Sequence, residues 1–374
     1  MKDNNLDTIR REIDTIDEEI AKLLNRRFNL VEDVAALKNE GGIPVEDKAR
    51  ESEIVQRLKK TVSNPYLADM IESFYSKVLE ASRTIQELEK NKDIVPYAKI
   101  GIIGLGTIGG SIIKTLKKQQ PTIHIATIKR ESRDEQLAIA AGDIDEVHDR
   151  LEDLCSTCDL IIIATPITNI VEYAKTITAR AADRVLTVID VGSVKASIAR
   201  EFESLSTDTV QFIPTHPMAG SHLPGFDHSS TLFFIHRPWV ITPHSKNTVT
   251  EIEKVKKLIS ILGSKPVVMD PDQHDTDVAQ ISHLAIVLAA LLFAYVHDEH
   301  KDALAIATSG FERITEKVSG NTKMHAQIVE ENEANIKSAI DEFVAFIQKK
   351  QVSKSTAQSF FEHYKSLRDQ VFTN

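Results

Sequence analysis

Apolar residues recur through the first forty positions at alternating steps of three and four: Leu6, Ile9, Ile13, Ile16, Ile20, Leu23, Leu30, Val34 and Leu37. That spacing predicts one long helix with a heptad-like seam. A single position breaks the series, Arg27. A charge on a buried seam is costly unless it is paired, so Arg27 either interrupts the seam or faces a buried anion. Gly41-Gly42 and Pro44 stop this helix. A second helix is expected over 46–61 and a third over 66–91, with Asn64-Pro65 between them.

After a linker at 91–96 the pattern changes. Short apolar runs now alternate with helical stretches: Lys99–Gly104, Ile123–Ile128, Asp159–Ala164, Leu186–Val191, Gln211–Pro214 and Trp239–Thr242. This predicts a doubly wound α/β sheet of the Rossmann type, with ligands gathering at the carboxyl ends of its strands. From Asp272 the chain reads helical again, and Ile281–Phe293 is apolar almost throughout, as for a helix buried in a dimer or domain core. The expected organisation is an all-α unit at 1–92, a dinucleotide-binding α/β domain at 98–268 and an all-α domain at 269–374.

The length of 374 residues accommodates these parts, and the net charge of −10 speaks against a nucleic-acid-binding surface. No apolar run reaches the ~20 residues of a membrane span, and the N-terminus has no apolar signal core, so a cytoplasmic enzyme without a membrane partner is expected. The two cysteines, Cys155 and Cys158, precede an apolar run and read as small filler at a strand entrance. No metal cluster of suitable spacing is visible.

Gly104, Gly106 and Gly109 form G-x-G-x-x-G between a predicted strand and an apolar helix. That context supports dinucleotide binding by Gly104-Leu-Gly-Thr107-Ile108-Gly109, with the diphosphate on the helix N-terminus. Thr165 and Pro166 end a later strand on the same edge. The second strand has Thr127 where an acidic residue would hold the ribose hydroxyls, followed by Ile128, Lys129 and Arg130. Two cations and no carboxylate at that place predict NADP rather than NAD. Of thirteen histidines, His216 stands out. An apolar strand delivers it to the ligand edge, where it is able to accept a hydroxyl proton while hydride leaves the same carbon. Ser193 lies at another such strand end.

Helix length constrains the N-terminal unit. Residues 4–39 as a helix span ~54 Å, more than a three-helix unit buries alone, so pairing with the same helix of a second chain is expected. Arg27 and Lys38 share a face, while Arg10 lies ~42 Å from Lys38. If Arg10 serves the same site, it comes from the partner. Residues 6–90 resemble the all-helical, intertwined-dimer chorismate mutases. The resemblance rests on Arg10, Arg27, Lys38, Asp47-x-x-Arg50-Glu51 and Ser82-x-x-x-Gln86. It implies that the arginines and lysine clamp the carboxylates and ether oxygen of chorismate, that Glu51 and Gln86 hydrogen-bond its hydroxyl and ether oxygen, and that Asp47, Arg50 and Ser82 also contact substrate. Catalysis would be restraint plus positive charge at the ether oxygen.

Residues 99–347 resemble prephenate dehydrogenase. The motifs are the glycine turn, Asp190-Val-Gly-Ser-Val-Lys195, His216-Pro-Met-Ala-Gly220, His274-Asp275, Ile281-Ser-His-Leu284, Ser309-Gly-Phe311 and Ser319-Gly-Asn321. The resemblance implies that His216 accepts the proton of the ring hydroxyl and Ser193 orients it, that Ser282 lies in the prephenate pocket, and that the C-terminal helices dimerise. The two halves together resemble the bifunctional chorismate mutase/prephenate dehydrogenases, with chorismate and prephenate as ligands. Two positions depart from the family: Glu316 replaces a common carboxylate-binding arginine, and Ile286 replaces a common histidine. Arg313, one turn before Glu316, is the candidate substitute. Arogenate as the substrate, or a non-catalytic regulatory module, are the alternatives that Glu316 raises.

Overall fold

The computed structural model describes residues 6–90, 94–181, 185–220, 223–350 and 356–372. Residues 91–93 of the expected linker lie outside that set. The chain packs as two compact units, one ending at Asp270 and one beginning at Pro271.

The first unit opens with three helices, α1 (Leu6–Gly41), α2 (Lys48–Thr61) and α3 (Pro65–Lys90). Within the chain α1 buries only Val31 and Ala35, on the side it turns to α3. The heptad seam is the outer face: Leu23 is 64% and Leu37 67% exposed. Arg27, Val31, Ala35 and Lys38 are spaced as one helical stripe, so Arg27 heads the inner stripe as well as interrupting the outer one. The carboxylate of Asp47 starts α2 by accepting from the Arg50 N–H at 2.9 Å.

The first half of α3 exposes Tyr66, Met70 and Phe74, whereas Val78, Leu79, Ser82, Ile85, Gln86 and Leu88 are buried. The last turns are covered from two sides. Gln119, at the end of the first sheet helix, donates to the Leu88 carbonyl at 3.3 Å. A Cβ on Gly263 would come within 3.2 Å of the Leu88 side chain.

The main sheet contains β1 (Lys99–Ile103), β2 (His124–Ile128), β3 (Glu146–His148), β4 (Leu160–Ile163), β5 (Leu186–Asp190) and β6 (Val210–Ile213). All pairs are parallel, in the order β3-β2-β1-β4-β5-β6. Every residue of β4, β5 and β6 is buried, as expected for strands covered on both faces. The accompanying helices are α4 (Thr107–Gln119), α5 (Arg133–Ala140), α6 (Leu151–Thr157), α7 (Ile167–Arg180), α8 (Ala196–Leu205) and α9 (Val249–Ile261). The strand order reverses between β1 and β4, which opens a crevice at their carboxyl ends. The doubly wound fold is as expected, with one correction. Trp239–Thr242 does not extend this sheet. It supplies most of β8 (Pro238–Ile241), which pairs antiparallel with β7 (Thr215–Pro217) and parallel with β9 (Lys265–Val268) in a second sheet.

The second unit contains α10 (Pro271–Val278), a π-helical turn at Ala279–His283, and α11 (Leu284–Glu299). It continues with α12 (Ser309–Thr315), α13 (Thr322–Glu331), α14 (Glu333–Lys349) and α15 (Ala357–Phe372). Asn332 separates α13 from α14. Helical continuity through the π turn also corrects the reading of apolar runs: among the described residues, Pro271–Glu299 is long and apolar enough to cross a membrane by length and composition. Within the chain α11 is mostly exposed, with Leu291 at 54% and Tyr295 at 56%.

Candidate active sites

The crevice between β1 and β4 carries the glycine turn. Gly104 has φ +101°, and a Cβ there would lie 2.3 Å from the Ala164 carbonyl oxygen. A Cβ on Gly109 would lie 2.0 Å from the Gly104 carbonyl oxygen. Backbone contact therefore demands both glycines. A Cβ on Gly106 would meet nothing within 4 Å, which leaves an open approach to the first turn of α4. A diphosphate fits that approach, because the first N–H groups of a helix have no intrahelical partner and favour an anion. Thr165 and Pro166 stand across the crevice, where Pro166 caps α7. Ile108 packs inward on the core.

Thr107 has a second role. Its hydroxyl donates to the Leu223 and Gly225 carbonyls at 3.0 and 3.1 Å, and so ties down a strap around Phe226. The strap is also held to α5: Asp134 accepts from the Phe226 N–H at 2.9 Å, and Arg133 pairs with Asp227 at 2.5 Å.

The end of β2 differs from the expectation at one residue. Thr127 is buried and donates to the Ile102 carbonyl at 2.8 Å, so its hydroxyl is used inside the sheet. The exposed groups at that place are Lys129 and Arg130. Lys129 lies 3.4 Å from Glu131 and 3.9 Å from Asp149, and the Arg130 guanidinium lies 5.4 Å from the Tyr173 ring centre.

Ser193 and His216 are joined through one carboxylate. Asp190, at the end of β5, accepts from the Gly192 N–H at 2.8 Å and from the Thr215 N–H at 3.0 Å. Each donor immediately precedes a site residue. Lys195 bridges the same two segments, pairing with Asp190 and donating to the Thr215 carbonyl at 2.8 Å. Trp239 donates to the Thr215 hydroxyl at 2.9 Å. Lys195 and Asp190 are wholly buried, so removing either partner leaves an uncompensated charge, at a cost of about 3–5 kcal/mol. Both residues were legible in the motif, but this bracing needs the fold, because β7 is not a neighbour of β5 in the main sheet.

In the second unit the π turn presents half-buried Ser282 and buried His283. Asn332 donates to the Asp275 carbonyl at 2.8 Å and lies 3.2 Å from His283 Nδ1. Asp275 is 2.7 Å from His274 Nδ1. Burial pushes the His283 pKa down to about 4, against an opposing pull from Asp275. Asn332 was missed in the sequence; its only signal is a polar residue inside an apolar repeat. Arg313 and Glu316 are both exposed.

In the helical layer the Arg27 guanidinium donates to Ser82 Oγ at 2.5 Å, and Gln86 Nε2 donates to the Ser82 carbonyl at 3.2 Å. Glu51 is held by Arg83, a residue the sequence did not single out, at 2.6 and 2.5 Å. Gln86 Oε1 is buried without a partner. Lys38 turns to the carbonyls of Pro44 and Val45 at 2.9 and 2.7 Å, and Arg50 pairs with Glu53 at 2.6 Å. Asp47 is engaged as the α2 cap. Arg10 is exposed, 3.8 Å from Asp7, and ~25 Å along α1 from Arg27. One chain thus brings together Arg27, Ser82, Gln86 and Glu51, and leaves Arg10 outside.

Cys155 and Cys158 are buried free thiols, and burial pushes Cys155 up to about 12, which makes it unreactive. Among the described residues no His, Cys, Asp and Glu cluster is arranged to hold a metal.

Residues 9–87 match chorismate mutase type II, residues 112–289 the nucleotide-binding domain of prephenate dehydrogenase, and residues 270–366 its dimerization domain. Prephenate dehydrogenase of Lactococcus lactis subsp. cremoris is 31% identical over 281 residues, covering 72% of this chain and 76% of that protein. The T-protein of Haemophilus influenzae is 25% identical over 223 residues, 58% of this chain and 53% of that protein. A solved prephenate dehydrogenase of A. aeolicus, in complex with hydroxyphenyl propionate and NAD+, shares the fold with TM-score 0.64 and 24% identity, over 74% of this chain and 97% of that one.

Proposed function

The chain belongs to the prephenate dehydrogenase family and carries a type II chorismate mutase unit ahead of that module, and from this premise we propose how its residues divide two reactions. It is a bifunctional enzyme of tyrosine biosynthesis. It rearranges chorismate to prephenate and converts prephenate to 4-hydroxyphenylpyruvate by oxidative decarboxylation.

The observation that carries the dehydrogenase assignment is the Asp190 carboxylate, which fixes the peptides preceding both Ser193 and His216. In our reading His216 takes the proton of the ring hydroxyl, and Ser193 orients that hydroxyl. The dinucleotide, when bound, supplies the hydride acceptor. As hydride leaves the hydroxyl-bearing carbon, the ring carboxylate departs as carbon dioxide, its electron pair completes the aromatic ring, and the ring oxygen takes the proton back from His216. The turn Gly104–Gly109 with Thr165 and Pro166 holds the dinucleotide. Lys129 and Arg130 favour NADP over NAD, because their exposed pairings are weak enough to yield to a 2′-phosphate. Ser282 and Arg313 serve the substrate. The exposed Glu316, one turn from Arg313, supports a second reading in which arogenate is oxidised.

For the rearrangement, Arg27, Lys38, Glu51 and Gln86 with Ser82 line one site. Asp47 and Arg50 stand at its rim, and Arg10 arrives from a second chain. The exposed α1 seam and the exposed α11 support a homodimer. We divide the chemistry at 1–92, 98–268 and 269–374, and place the enzyme in the cytoplasm with its metabolites as partners.

The test follows reduced-nicotinamide absorbance with prephenate or arogenate, with NADP and NAD supplied separately. Reduction of NADP by prephenate, lost in His216→Asn, supports the reading. Reduction only with arogenate moves the assignment to the second substrate. Equal use of NAD removes the role given to Lys129 and Arg130.

A further inference from the structure

α3 faces α1 and α2 with different side chains. Ser82 Oγ accepts from Arg27 of α1, and Arg83 reaches Glu51 of α2. Successive residues turn ~100° about a helix, so Gln86 lies ~40° from Ser82 and ~60° from Arg83, one turn further on. Its amide therefore projects between the two contacts. Gln86 is only 8% exposed, and its Oε1 has no hydrogen-bond partner. A buried acceptor without a donor is costly in a folded protein and marks a place where a ligand group is expected.

Beside it, Glu51 directs both carboxylate oxygens at one nitrogen of Arg83, Nη1, at 2.6 and 2.5 Å. This pair is three-quarters shielded from water, with side-chain exposures of 29% and 24%. A carboxylate held in this way cannot swing out to solvent. It keeps lone pairs free for a further donor, since two oxygens offer about four acceptor sites.

We propose that Arg83 is a positioning residue for the rearrangement: it aims the Glu51 carboxylate, next to the unpartnered Gln86 amide, at the hydroxyl of chorismate. This rests on the mutase reading of the helical unit. The chemistry is selective. A substrate hydroxyl donates to a pre-aimed anion, and a mimic without that hydroxyl gains nothing from it. Lysine in place of Arg83 keeps the charge on a more flexible stem that aims the carboxylate less firmly, so it restores part of the effect.

The experiment uses the full-length chain and measures mutase turnover of chorismate for the wild type, Arg83→Met, Arg83→Lys, Glu51→Gln and the Arg83→Met/Glu51→Gln double variant. Dehydrogenase turnover of supplied prephenate and the melting temperature report on folding. We expect Arg83→Met to lower mutase kcat/KM by about tenfold or more, mostly through KM, and Arg83→Lys to recover part of that. The double variant should be no worse than Glu51→Gln alone, because both changes remove one interaction. Inhibition by a bicyclic dicarboxylate that mimics the rearranging substrate should weaken in Arg83→Met, whereas inhibition by its deoxy counterpart should hold. A residue that serves only stability would weaken both. Losses that multiply in the double variant, equal weakening of both inhibitors, or an unchanged Arg83→Met overturn the proposal. A wild-type chain that does not turn over chorismate overturns instead the mutase reading beneath it.

Discussion

The three N-terminal helices and the six-stranded sheet solve the burial problem in opposite ways. The 36-residue α1 buries two residues within its own chain, while β4, β5 and β6 bury all of theirs. The sheet closes its core within one chain, and its glycine turn, crevice and Asp190 brace are complete there. The helices leave an apolar seam exposed, and their cluster lacks Arg10. A site laid along a long helix needs a second chain to supply what lies beyond its reach, whereas a site at strand ends gathers its residues by topology.

The contrast breaks most directly at His216. Asn at this position should cost dehydrogenase turnover about 10²–10⁴-fold, the usual worth of a general base, while mutase turnover stays at the wild-type level. Loss of both activities in the same assay series would mean that the sites are not separable. Arg10→Ala comes next, with an expected mutase loss of about a hundredfold for a charged contact to a carboxylate. Arg27→Ala should be as severe. Co-refolding the two inactive variants should then restore activity, because a mixed dimer contains one site with both arginines. No recovery on mixing would place Arg10 elsewhere.

Ile20→Lys on the exposed seam should lower mutase activity at micromolar protein and let it return as concentration rises, with prephenate oxidation unaffected. Concentration-independent activity would show that the seam needs no partner. The smallest effect belongs to Lys129→Ala and Arg130→Ala. Each should raise the KM for NADP about two- to fivefold and leave that for NAD nearly unchanged, as expected for an exposed charge on a phosphate.

The glycine turn was legible because its reason is local: a backbone clash fixes Gly104 and Gly109. His216 was legible from the apolar run before it, although it lies within β7 of the second sheet and not at the end of β6. Arg27 was legible as a charge out of place. Arg83 and Asn332 were not, because each acts across elements and nothing in the local pattern distinguishes a paired arginine from a solvated one. Thr127 sits at a strand end that suits a cofactor contact, but the pleat turns its hydroxyl to Ile102. Register, which a sequence does not display, decides that. β3 and β9 escaped for another reason: three or four residues with little burial leave almost no periodicity.

Leu88 belongs to the last turn of the mutase helices, yet its carbonyl satisfies Gln119 and its side chain covers Gly263. Severing the chain near residue 92 would strip a wall from the domain that remains. In this molecule the helical layer and the sheet domain share a boundary. A sheet domain cut free at that point would expose to water the apolar surface that Leu88 now covers.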